Sequence, residues 1–161
     1  MSMDKNIYSF EDYVLRLPPE LQPAVLAIHE NLLRDGCKCK VESKVSGLFA
    51  SYSHPKTRRS MLNFGFRKGG AFVRLYADNH SRYLELLHGL PENMAAAVAK
   101  SPDCKRLKNP LDCSPTCPMG YDFQIRDTHF QKCRYSCFQF LLNTESVETI
   151  ATLIEHERKY R

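Results

Sequence analysis

Between Cys37 and Ala77 apolar and polar residues alternate with a period of two, whereas the segments on either side repeat every three to four residues. The pattern predicts an antiparallel meander framed by helices, with strands at 37–45, 47–53, 60–67 and 71–77. Lys68-Gly69-Gly70 supplies the positive φ angles a hairpin turn needs, and His54-Pro55-Lys56-Thr57 makes a looser connection. Upstream, Ser9 followed by Glu11 and Asp12 starts a capped helix that runs to Leu17 and is stopped by Pro18-Pro19. A second helix carries its apolar stripe on Leu21, Val25, Ile28 and Leu32 and ends at Gly36, with Pro23 in the first turn. His29 beside that stripe reads as a structural histidine, because no second metal-type residue stands at chelating spacing on the helix.

Downstream, short helices are predicted from Asn79 to Leu87, ended by Gly89, and from Pro91 to Lys100, with Met94, Ala95 and Val98 inward. YDFQIRD is a strand with Tyr121, Phe123 and Ile125 toward the core, and FQKCRYSCFQFLL is read as a last strand alternating through Phe138, Phe140 and Leu142. Asn143 or Thr144 caps a final helix buried through Val147, Ile150, Ala151 and Ile154, and HERKYR forms a solvated tip. With no repeat or linker, residues 1–161 are expected to form one α+β domain, an antiparallel sheet of about five to six strands packed on N- and C-terminal helices.

Alternation also sorts the sheet faces. Leu62, Phe64 and Phe66 join Ala71, Val73 and Leu75 toward the helices, leaving Asn63, Arg67, Phe72, Arg74 and Tyr76 opposite, with Glu42, Lys44, Gln124 and Arg126 collected on the same side. Rings beside guanidinium groups stack on planar ligands and pair with carboxylate or phosphate. Arg67, Arg74, Tyr76 and Arg126 are therefore candidate ligand-binding residues, set against the plainer reading of a solvated sheet face.

The segment CKRLKNPLDCSPTCPMGYDFQIRDTHFQKCRYSC holds five of the seven cysteines. Thiolates flanking the Pro-rich loop Cys113-Ser-Pro-Thr-Cys117-Pro118 suit one tetrahedral Zn2+, completed by a thiolate from a distant segment. Sulfurs around zinc lie only about 3.8 Å apart, whereas a strand from Cys133 to Cys137 spans about 13 Å, so one ion cannot take both if that segment is extended. A helical segment would let the pair chelate. The preferred ligands are Cys104, Cys113, Cys117 and Cys133, with Cys137 a buried thiol or substitute ligand and the zinc a structural staple of the loop. Ordinary buried cysteines or a disulfide pair are the alternative. Cys37 and Cys39 stand about 7 Å apart on one strand face, too far for one zinc, and read as packing thiols.

CKRL, an Asn-Pro loop, C-x3-C, GYDF and QKCRY, together with ESKVSGLFASY, NFGFRKGGAFVRLYAD and LPENM, make most of the chain resemble a group of short bacterial proteins of the Clostridia type among the Firmicutes. The resemblance implies cysteines at the positions of Cys104, Cys113, Cys117 and Cys133, does not require one at Cys137, and brings no activity with it.

Composition changes the picture little. Of the 161 residues, 43% are apolar and 25% charged, which suits a folded globule, and the net charge of +5 permits an acidic partner without demanding one. MSMDKNIYSFEDY lacks a signal-peptide pattern and no apolar run approaches a membrane span, so a cytoplasmic protein is expected, with its odd number of cysteines as thiols or ligands. Nucleotide-binding, dinucleotide-binding and common hydrolase motifs are absent. Three functional readings follow. The leading one is a non-enzymatic, zinc-stabilised binding or regulatory domain for a small anionic or planar ligand or a protein partner. The second is a nucleic-acid binder that stacks bases on Phe72 and Tyr76 beside Arg67, Arg74 and Arg126, with Lys56, Arg58, Arg59 and Lys68 on phosphates. The third is an enzyme using a thiol activated by His129, four residues before Cys133.

Overall fold

The computed structural model describes residues 7–161; the reading of MSMDKN as free of a signal-peptide pattern lies outside the described residues. The protein is α+β, with a five-stranded antiparallel sheet, a separate two-stranded sheet and six helices among the described residues. The chain divides into two compact units, residues 1–73 with 141–148, and residues 74–140 with 149–161.

In the first unit, α1 (Phe10–Val14) opens on a capping box in which Ser9 Oγ accepts from Asp12 N at 3.3 Å and the Asp12 carboxylate accepts from Ser9 N at 2.8 Å. After a 3-10 turn at Pro19–Leu21, α2 (Gln22–Arg34) carries Pro23 in its first turn and stops at Gly36, whose φ of +87° is the left-handed conformation that ends helices. Val25, Ile28 and Leu32 are buried as the stripe predicts. His29 is a packing residue: its ring stacks on Phe10 with centroids 4.0 Å apart, and Nδ1 meets the Tyr52 hydroxyl at 2.7 Å. Cys37 is buried against the Met61 sulfur.

The meander follows as β1 (Lys38–Lys44), β2 (Gly47–Ser53), β3 (Ser60–Arg67) and β4 (Gly70–Leu75), within two residues of the expected spans. β1 pairs with β2 from Lys38↔Ser53 to Lys44↔Gly47, and Ala50 of β2 faces Phe64 of β3, with one register slip between Tyr52 and Ser53. The expected polar face is largely covered here. Asn63 and Phe72 are buried, and the Phe49 and Phe72 rings close over Gly65, where an added Cβ would meet both at 2.8–3.0 Å. Its charges are tied to neighbours: Glu42 pairs with Lys40 at 2.9 Å and Lys44 at 3.4 Å, and the Arg67 guanidinium lies 5.7 Å from the Phe72 ring centre.

The sheet order is β1-β2-β3-β4-β7, where β7 is Gln139–Leu141. YDFQIRD does not join it. Instead β5 (Tyr121–Ile125) pairs with β6 (Thr128–Lys132) in a hairpin, so Gln124 and Arg126 do not extend the face of the larger sheet. FQKCRYSCFQFLL is not one strand either. It divides into β6, a turn in which Cys137 N donates to Cys133 O at 2.9 Å, and β7.

Besides that hairpin, the second unit contains α3 (Leu84–His88), α4 (Glu92–Lys100), the single turn α5 (Lys105–Lys108) and most of α6 (Val147–Lys159). Tyr83, Leu87, Met94, Val98, Tyr121, Phe123, Phe138, Leu153 and Ile154 are among its buried apolar residues. The end of α6 departs from the solvated tip expected of HERKYR. Glu157 is 0% exposed and accepts from Asn79 N at 3.0 Å, Asn79 Nδ2 at 2.8 Å, Tyr83 OH at 2.7 Å and Arg161 Nε at 2.8 Å. A charge in that position is tolerable because donors satisfy it from several sides.

Candidate metal centre

The four preferred cysteines come from two kinds of backbone. Cys104 and Cys133 sit where two segments run side by side: Cys104 N donates to Gln131 O at 2.8 Å, Cys133 N donates to Pro102 O at 2.9 Å, and Asp103 and Lys132 form the bridge between them. Gly120 lies against this pair so closely that a Cβ there would collide with the Lys132 carbonyl oxygen and the Cys104 side chain. Only glycine fits that approach.

Cys113 and Cys117 lie on the loop after α5. Asn109 Oδ1 accepts from Leu111 N at 3.2 Å, Cys113 adopts φ +65°, and Cys117 N closes a turn onto Ser114 O at 3.1 Å. Arg106 of α5 ties the loop down, its guanidinium donating to the carbonyls of Cys117 and Ser114.

All four cysteines line one cavity of about 330 Å³, together with Lys105, Gly120, Arg134 and Tyr135. Among the described residues no three His, Cys, Asp or Glu side chains are grouped closely enough to share an ion, so the sulfurs border the cavity without meeting at a point. Cys137 is 0% exposed, and burial pushes its thiol pKa far up. The turn from Cys133 to Cys137 removes the distance argument against that pair, and burial sets Cys137 apart in its place.

The remaining candidates are dispersed. His129 Nε2 stands 2.5 Å from Asp122 Oδ1 on the β5–β6 hairpin, and this hydrogen bond, with that of Gln131, holds the Asp122 carboxyl below its usual range. The imidazole is thus engaged by a carboxylate. Arg67 falls in the first unit, and Arg74, Tyr76 and Arg126 in the second. Arg74 Nε donates to Gln139 Oε1 at 3.0 Å. Tyr76 is 4% exposed, its ring lying under the Arg134 guanidinium at 5.4 Å and edge-on to Tyr135. Arg126 sits at the hairpin turn with φ +55°.

No family model, curated protein or solved structure matches the chain. The site therefore rests on its own geometry. Sequence reading missed Gly120 and Arg134; the glycine that opens GYDF carried a signal in principle, since a segment entering a strand beside two cysteines needs close backbone approach. Among the described residues no helix is long and apolar enough to cross a membrane.

Proposed function

We propose that the protein is a zinc-binding module in which Cys104, Cys113, Cys117 and Cys133 hold one structural Zn2+, and that it acts by binding, with no catalytic step at the metal. The cavity shared by those four side chains is the observation that supports this reading. The donor set suits the ion: thiolates are preferred by zinc, and four of them leave no open position for a substrate. The surroundings suit its charge as well. Four thiolates around Zn2+ carry a net charge of about −2, and Lys105 and Arg134 on the cavity wall offset it. Two anchors on the paired backbone and two on a loop whose Leu111 is 95% exposed make the ion a staple for a segment with little core of its own. Free thiols of this kind go with a reducing, cytoplasmic setting.

Metal analysis of protein purified without chelator tests the proposal. One equivalent of zinc is expected, falling below about half an equivalent in Cys104→Ser or Cys133→Ser and retained in Cys137→Ser. Substoichiometric zinc in the wild type, iron in its place, or retention by the Cys104→Ser and Cys133→Ser variants would overturn it.

A further inference from the structure

A second cavity, of about 480 Å³, lies within the second unit between the end of α3, the start of α4 and the β5–β6 turn. We propose that it binds a small monocarboxylate with an apolar body. This site is independent of the metal centre.

Its apolar surface comes from Leu87, Leu90 and Phe130, and its polar groups from His88, Glu92 and Arg126. The volume falls in the range of small-molecule sites, which combine an apolar lining with a few polar groups that fix orientation. Arg126 is the residue that selects the ligand. Ile125 pairs with Thr128, so Arg126 and Asp127 form a two-residue hairpin turn, and Arg126 holds φ +55° at a position where glycine is the least strained choice. A long cationic side chain stands where the backbone favours none.

Among the described residues that guanidinium makes one hydrogen bond, a long one of 3.5 Å to the His88 carbonyl, and no ion pair. Most of its donors remain available to a planar anion, and a carboxylate matches their fork. Glu92 borders the same cavity, also without an ion pair among the described residues, and its charge opposes doubly charged phosphates and other polyanions more strongly than a singly charged carboxylate. His88 Nε2 is directed at the Gln124 carbonyl, 3.4 Å away, and so belongs to the wall.

The test compares 3-phenylpropionate, its uncharged amide and inorganic phosphate by amide chemical-shift titration of the folded protein. The carboxylate should give saturable shifts confined to residues 87–92 and 124–130, with the amide bound about tenfold more weakly or worse, as expected for loss of a charge-assisted pair, and phosphate not bound. Arg126→Gly separates binding from folding, because glycine relieves the turn: its melting temperature should be equal or higher while affinity for 3-phenylpropionate falls about tenfold or more. Absence of saturable shifts up to about 10 mM carboxylate, equal binding of acid and amide, binding of phosphate, or unchanged affinity in a folded Arg126→Gly variant would overturn the assignment.

Discussion

Glu157 shows what a single residue type conceals. In HERKYR nothing in composition separates it from the charged residues around it, and exterior placement is the ordinary expectation for a glutamate. Its burial follows from partners far away in sequence, Asn79 and Tyr83, that no local pattern connects to it. Truncation would leave the Tyr83 hydroxyl, the Asn79 amide groups and Arg161 Nε without their acceptor, while Arg161 Nη2 keeps the Tyr76 carbonyl and Asp78. Glu157→Ala should therefore cost about 3–5 kcal/mol in urea denaturation, and a loss below about 1 kcal/mol would show that water replaces the carboxylate easily. The glycines make a matched pair of experiments. Gly120→Ala drives a methyl group into the Lys132 carbonyl and should lower the melting temperature, and with it the zinc retained if the proposed site holds the ion. Gly89→Ala meets nothing nearer than 3.7 Å at a negative φ of −96°, so it should be neutral or slightly stabilising, and comparable damage from both would remove close packing as the explanation.

Elements were legible where one periodicity ran unbroken between turn residues. The four strands of the meander, the capping box at Ser9 and the stop at Gly36 all follow from local rules. QKCRYSCFQF was not legible in the same way. Its alternation belongs to β7 alone, while the turn before it is stabilised by burying Cys137, which a strand and a turn of that composition would do equally well. At the candidate metal centre the cysteine spacing picked out side chains that share a cavity, but not the loop's conformation, in which Arg106 reaches the carbonyls of Ser114 and Cys117. That loop has few other ties. If zinc staples it, chelation should accelerate proteolysis within residues 109–118 before any cleavage in the meander. Cleavage at the same rate with and without chelator, followed by mass spectrometry, would argue that the loop is held by the polypeptide alone.

Across the whole molecule, Tyr13 and Tyr52 in the first unit and Tyr83 and Tyr121 in the second are among the tyrosines removed from water. Burial raises the phenol pKa of Tyr13, Tyr52, Tyr83 and Tyr121 far above its usual value. An unfolded chain releases those protons near pH 10, so stability owed to the neutral phenols is fully present below about pH 10 and declines as pH rises beyond it. Tyrosinate absorbance should accordingly appear in two phases, the second coinciding with loss of circular dichroism; smooth titration of all eight in a folded protein would contradict the burial. The strand order has a consequence in time. β1 to β4 are joined by short turns, whereas β7 reaches its place beside β4 only after an excursion of about 60 residues, whose closure costs entropy before any pairing returns it. Pulse-labelling hydrogen exchange during refolding should find the amides of the meander protected first and the bonds from Leu75 and Leu142 that flank β7 protected last, so that the sheet is finished by its shortest strand.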